Sequence, residues 1–161
     1  MTVVSNTSPL LNLALIGRLS LIEMQFEQIE VPTAVWEELT AGQEGVDRLE
    51  AVRDRGGIQV VSPEPTDLLT EFERELDRGE AAALAYATNI DAERVLLDER
   101  EGRAAARRHD VPVTGVIGIL LRASREGEID LRTELDALRE AGFWISDALY
   151  ERALDKDEES T

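Results

Sequence analysis

No cysteine occurs among the 161 residues, and histidine and lysine occur once each, as His109 and Lys156. Without cysteine there is no disulfide, no thiolate zinc site and no thiol nucleophile. A single histidine excludes a histidine metal cage and argues against a Ser–His triad. No apolar run approaches the roughly eighteen residues of a membrane span. Met1-Thr2-Val3-Val4 has no basic segment ahead of an apolar one, so no secretory leader is read there. A cytoplasmic protein is the expectation. The chemistry left is that of oxygen ligands, which suit Mg²⁺ or Mn²⁺.

What the chain has in excess is carboxylate. Thirty-four acidic residues face 17 basic ones, for a net charge of −17. Sixteen of the 17 cations are arginine. Dense acid with almost no lysine is the solubility pattern of a halophile's protein, where concentrated salt screens the self-repulsion. Such a surface does not favour nucleic acid. An RNA partner would need a metal ion and a local arginine patch.

The length suits one domain with a sizeable core. Short apolar runs read as strands at Val3-Val4, Ile29–Val31, Ile58–Val61, Arg94–Leu97 and Val111–Val113. Between them lie helical patterns: one started by Pro9 and stopped by Gly17, then Leu19–Met24, Ala34 to about Ala41 with Thr33 as N-cap, and Val46–Arg53. Further helices are read over Glu80–Thr88, up to Arg108, and over Thr114–Arg125, Leu131–Glu140 and Asp147–Leu154. Ser62-Pro63-Glu64-Pro65 reads as loop. This alternation predicts an α/β sandwich around a mainly parallel sheet of about five strands. The domain is read over residues 1–155, with 156–161 as a charged, frayed tail. Ligands of such sheets sit at the carboxyl ends of the strands, where Asn6, Asp98 and Thr114 fall.

Several acids stand where carboxylates are costly unless compensated. Glu38 lies between Ala34 and Val35 on the core-facing arc of its helix. It is either a ligand or an edge carboxylate reaching solvent. Glu80 shares the stripe of Leu84 and Ala87. Asp77-Arg78-Gly79-Glu80 also reads as a capping box in which Glu80 reaches back to an amide. Asp98 follows Val95-Leu96-Leu97 as either a ligand or the N-cap of the next helix, and Glu99 is its alternate. Asn6 offers an amide oxygen to a metal or caps its own helix, and Ser8 adds a hydroxyl. Arg100, Arg103 and Arg107 share a helix face that either holds phosphates or pairs with Glu99 and Glu101. His109 is read as interacting with the last carbonyls of that helix, and Phe143-Trp144-Ile145 as core or subunit contact. Separated acids of this kind suggest one shared divalent-cation site and a metal-dependent nuclease or phosphoryl-transfer enzyme. A receiver domain is set aside, because Val60-Val61-Ser62 ends its strand without an acid and the sole lysine is in the tail.

Six segments together carry a resemblance. They are Val4–Leu10 (VSNTSPL), Val31–Leu39 (VPTAVWEEL), Asp77–Ala81 (DRGEA), Leu96–Arg100 (LLDER), Val113–Gly118 (VTGVIG) and Ala141–Asp147 (AGFWISD). Nearly the whole chain resembles PIN-domain proteins of the toxin-like DUF3368 branch. The resemblance implies a PIN-like three-layer sandwich whose carboxylates gather around one or two Mg²⁺ or Mn²⁺ ions. It implies an endoribonuclease, often a toxin paired with an antitoxin, and often a homodimer. On the family pattern Asn6, Glu38 and Glu80 fill the first three acidic positions, and Asp98 or Glu99 the fourth. Ser8 and Thr114 are supporting hydroxyls, and Arg100, Arg103 and Arg107 are read as RNA-binding. Asn6 departs from the usual aspartate and removes one charge from the cage, which leaves a catalytically weakened RNA- or partner-binding module as the alternative. The first two helices, with Leu10, Leu11, Leu13, Leu19 and Leu21, hold more apolar surface than one sheet flank needs, and a homodimer interface is expected there.

Overall fold

Five short strands pair in parallel in the order β3-β2-β1-β4-β5: β1 (Val3–Ser5), β2 (Ile29–Pro32), β3 (Ile58–Val61), β4 (Arg94–Leu96) and β5 (Val113–Thr114). The computed structural model describes residues 1–42 and 44–159. Val4, Val31, Val95 and Leu96 are fully buried, as expected where helices cover both faces of a parallel sheet and strands become continuous apolar runs. Helices α1 (Thr7–Leu15), α2 (Ser20–Phe26), α3 (Thr33–Ala41), α4 (Val46–Asp54) and α5 (Asp67–Phe72) flank the first three strands in sequence. Then follow α6 (Arg78–Asn89), α7 (Arg100–Arg108), α8 (Val116–Arg125), α9 (Leu131–Glu140) and α10 (Asp147–Glu159). Helix α6 packs along β1, β2 and β4.

The chain builds outward from β1 to β2 and β3, then returns to add β4 on the other side of β1. The crevice above the carboxyl ends of β1 and β4 is therefore the topological switch point, where sheets of this kind bind ligands. Asn6 and Asp98 leave the sheet on either side of it, and the Asn6 amide donates to the Leu96 carbonyl at 2.9 Å.

Several local expectations are corrected. The loop expected at Ser62-Pro63-Glu64-Pro65 is present, and helix α5 follows it in a stretch to which the sequence assigns no element. Thr66 Oγ1 accepts from the Leu69 amide at 3.2 Å, and Phe72 anchors the helix in the core. Six residues are too short for a periodic signal. Thr33 does not cap α3; Pro32 does so by its extended backbone, and Thr33 Oγ1 donates to the Val61 carbonyl at 2.9 Å. Helix α10 continues past Leu154 to Glu159, held by buried Tyr150 and Ala153 with its charged residues in the last turns. Of the expected tail, residues 160 and 161 lie outside the described residues. Phe143 packs on the core and Ile145 is buried, but Trp144 is 81% exposed. The His109 ring stands edge-on to Phe72, its centroid 5.1 Å away.

The leucines of the first two helices are consumed within the chain. Leu10, Leu13, Leu19 and Leu21 are buried and Leu11 is half-buried against the core, because α1 packs on α3, α4 and α8. These five leucines are thus packed within the chain, while Met24 on α2 is 56% exposed.

Candidate active site

Asn6 ends β1 and takes the N-cap position of α1 with an extended backbone. Its side chain caps nothing in α1. It reaches across the switch point instead, and Nδ2 donates to Glu99 Oε2 at 3.3 Å. The carbonyl oxygen Oδ1 is buried and has no hydrogen-bond partner. Buried polar atoms are rarely left so, and one that is calls for an explanation such as a missing ion.

Glu80 supplies the second such atom. It sits in the first turn of α6, 6% exposed, and its Oε2 is also buried without a partner. Asp77 forms half of the expected capping box, Oδ1 accepting from the Glu80 amide at 2.9 Å. Glu80 is nonetheless buried against α7, where a β-carbon on Gly102 would lie 3.0 Å from Oε2. The Glu80 pKa is pushed up to about 8, first by burial, then by the hydrogen bond and charge of Asp77 and the charges of Glu99 and Glu101. Burial also raises the Glu99 pKa, with the charges of Asp98 and Asp77 adding and the Asn6 hydrogen bond opposing. Uncompensated acids thus gather around one amide.

Asp98 stands differently. Oδ1 accepts from the Val116 amide and Oδ2 from Ser8 Oγ, each at 2.8 Å. Val116 is the first residue of α8, so Asp98 caps α8 and not α7, which correction no local pattern could have supplied. Asn12 Nδ2 holds Ser8 in turn, at 3.1 Å from its hydroxyl. The Arg103 guanidinium fills the space over Gly115 beside Asp98. Burial raises the Asp98 pKa, while Val116, Ser8 and Arg103 all pull it down.

Glu38 is exposed, as the edge-carboxylate alternative has it: Val35 and Leu39 carry the buried stripe of α3, and Ala34 on the Glu38 face is only half-buried. Its carboxylate lies against the first turn of α6, in the space a side chain at Gly79 would need. Thr7 Oγ1 donates to Oε2 at 2.7 Å. Its anchors are therefore the immediate neighbours of Glu80 and Asn6, and the amino end of α6 favours its charge. Thr114 points elsewhere: its Oγ1 accepts from Arg94 Nη1 at 2.6 Å. Of the basic stripe, Arg108 pairs with Glu75 and Arg103 is drawn in toward Asp98. Arg100 and Arg107 remain exposed with no ion pair among the described residues.

Asn6, Glu80, Glu99 and Asp98 thus meet at the switch point, with Glu38 at its rim and Thr114 turned away. Among the described residues no group of three or more His, Cys, Asp or Glu is arranged to hold a metal ion. With both Asp98 oxygens taken by Ser8 and Val116, the groups left to face a cation are the carboxylates of Glu80 and Glu99 and the Asn6 amide, and the two orphaned oxygens suit one. Sequence reasoning missed Asp77 as a charge on the site and Thr7 as the holder of Glu38. It also missed the glycines that make room. Gly102 inside the helical pattern after Asp98 was the available signal, since mid-helix glycine marks close approach.

A family model described as DUF3368, PIN domain, matches residues 2–159, and the chain belongs to that family. PIN domains are a nuclease-type fold. No curated protein matches the chain.

Proposed function

We propose that this PIN-domain chain is a divalent-metal-dependent endoribonuclease acting through Asn6, Glu80 and Glu99. The observation that carries the reading is the pair of buried, partnerless oxygens, Asn6 Oδ1 and Glu80 Oε2, at the switch point. When bound, Mg²⁺ or Mn²⁺ supplies Lewis acidity toward a phosphodiester and lowers the pKa of water. The remaining work belongs to the chain. Glu80 must shed its proton to serve as a ligand, since its pKa stands at about 8 without a cation. Glu99 is held in place by the Asn6 amide. On this reading Glu38, tethered by Thr7 at the rim, orients and deprotonates an attacking water. Asp98, its oxygens occupied by Ser8 and Val116, braces α1 and α8 around the site. Arg100 and Arg107 offer phosphate contacts on an otherwise acidic surface.

The test is cleavage of a single-stranded RNA with Mn²⁺, with and without chelator, by the parent and by Glu80→Gln. Metal-dependent products that vanish in Glu80→Gln support the reading. Products indifferent to both chelator and substitution sink it. The role of toxin in a toxin–antitoxin pair rests on kinship with toxin-like PIN proteins, and an adjacent small reading frame whose product suppresses the cleavage would support it.

Asn6 favours a second reading, because an amide in place of a carboxylate weakens metal affinity. On that reading the chain binds RNA or a partner without cutting. RNA retention with no cleavage at saturating Mn²⁺ distinguishes it.

A further inference from the structure

A cleft of about 190 Å³ runs along α6 from Arg78 to Asn89, on the side of the helix away from Glu80. Its floor and walls include Pro32, Pro63, Leu69, Ala82, Ala85 and the ring of Tyr86. The walls are braced from several sides. Tyr86 Oη donates to Glu30 Oε1 at 2.6 Å, Asn89 Nδ2 donates to Thr66 Oγ1 at 3.4 Å, and Thr33 ties the loop after β3 to α3. Two acidic residues are among its lining, Glu64 and Glu73, both exposed, and neither side chain makes a hydrogen bond or ion pair among the described residues. The cation lining it, Arg78, is already paired with Glu37 at 3.0 Å.

We propose that this cleft is an anchor pocket for one arginine side chain of a partner polypeptide. Size excludes a whole nucleotide, since small-molecule sites run to roughly 300–1,000 Å³. It suits a single long side chain, the scale of the buried anchors that dominate protein interfaces. Charge selects which one. Apolar walls accept a methylene stem, the Tyr86 face accepts a guanidinium, and the free carboxylates accept its hydrogen bonds. The local balance, Glu64 and Glu73 against an Arg78 already paired with Glu37, favours a basic side chain over an acidic one. The pocket opens beside Arg78 and Glu37, each one residue from the Gly79–Glu38 contact at the acid site. A partner anchored here therefore lies at the edge of that site.

The test needs neither metal nor RNA cleavage, so its outcome is independent of the nuclease reading. The full chain is titrated with a blocked Gly-Leu-Arg-Leu-Gly peptide and with the same peptide carrying neutral, isosteric citrulline. Amide chemical shifts are followed in salt that screens long-range charge. The expected result is shifts confined to Leu69, Ala82, Ala85, Asn89 and their neighbours, with the citrulline peptide at least tenfold weaker. The Glu64→Gln/Glu73→Gln double variant should weaken the arginine peptide by a similar factor, and Ala82→Met, which fills the cleft, should do the same with its charge intact. Equal binding of both peptides, shifts scattered over the surface, or shifts at these residues produced by a single-stranded RNA oligonucleotide would overturn the proposal.

Discussion

Glu38 occupies the room that Gly79 leaves empty: a β-carbon on Gly79 would stand 2.6 Å from Glu38 Oε1. The two residues lie on different helices, and the missing side chain on α6 lets the carboxylate from α3 reach the rim of the acid cluster. The obstructed atom is the end of a flexible side chain, so Gly79→Ala should displace Glu38 without breaking the fold. Alanine is favoured over glycine within a helix by about 1 kcal/mol. We expect Gly79→Ala to be as stable as the parent or slightly more so, yet to lose at least tenfold in Mn²⁺-dependent RNA cleavage. Unchanged cleavage in a well-folded variant would remove Glu38 from the mechanism.

Glu80 makes stability depend on pH in a stated direction. Its folded pKa is raised to about 8 from an ordinary value of 4.5, so the fold binds its proton more tightly than the unfolded chain does. The contribution is complete below about pH 4.5 and is lost as pH rises through about 8. Burial raises Asp98 and Glu99 in the same direction. Urea midpoints should therefore fall from pH 6 to pH 9 without divalent ions, and Glu80→Gln should flatten that slope. A parent midpoint that climbs over the interval contradicts the burial assigned to Glu80.

Mn²⁺ should raise the unfolding temperature beyond the effect of matched ionic strength, since a ligand of the folded state stabilises it by mass action. The gain should be larger at pH 9 than at pH 6, because ligands must be deprotonated to bind. Asn6→Asp should increase the response and Glu99→Gln should diminish it. Thermal unfolding against a non-coordinating salt is the measurement. No gain from Asn6→Asp would mean that residue 6 does not face the ion.

Asp98 is expected to act on stability more than on the metal. Asp98→Ala leaves the Val116 amide and the Ser8 hydroxyl without their acceptor and should cost about 3–6 kcal/mol, from two part-buried hydrogen bonds to a charged group at about 1.5–3 kcal/mol each. Asp98→Asn keeps an acceptor for Val116 and should cost about half as much. Chemical denaturation gives the costs. A loss of Mn²⁺ response in Asp98→Asn as complete as that in Glu99→Gln would instead place Asp98 on the ion.

The net charge of −17 should make the fold dependent on salt. Screening shortens the reach of self-repulsion to about 3 Å at 1 M. The unfolding temperature should rise steadily with KCl up to molar concentrations. A flat response would leave the acidic composition without a halophilic role.

Four strands and the parallel sheet were legible from spacing, because short apolar runs between helical patterns have few other ways to be buried; the fifth was expected at Val111–Val113 and forms at Val113–Thr114. The placement of Asn6 and Asp98 at strand ends followed from that, since both trail two or three apolar residues. Periodicity also marked Glu80 as buried. It left Glu38 open between a ligand and an edge carboxylate reaching solvent; the side chain is exposed, and its position depends on a glycine forty-one residues away in α6. It could not tell Asp98 from Glu99. Adjacent residues leaving a strand point in different directions, and only the arrival of α8 beside β4 occupies one with Val116 while Asn6 takes the other. Nor could composition show that the leucines of α1 were needed by three other helices. Local sequence sets which residues seek burial and where the chain turns. Which acids share a site is decided by contacts between segments up to 93 residues apart, and those form only when the whole sheet has closed.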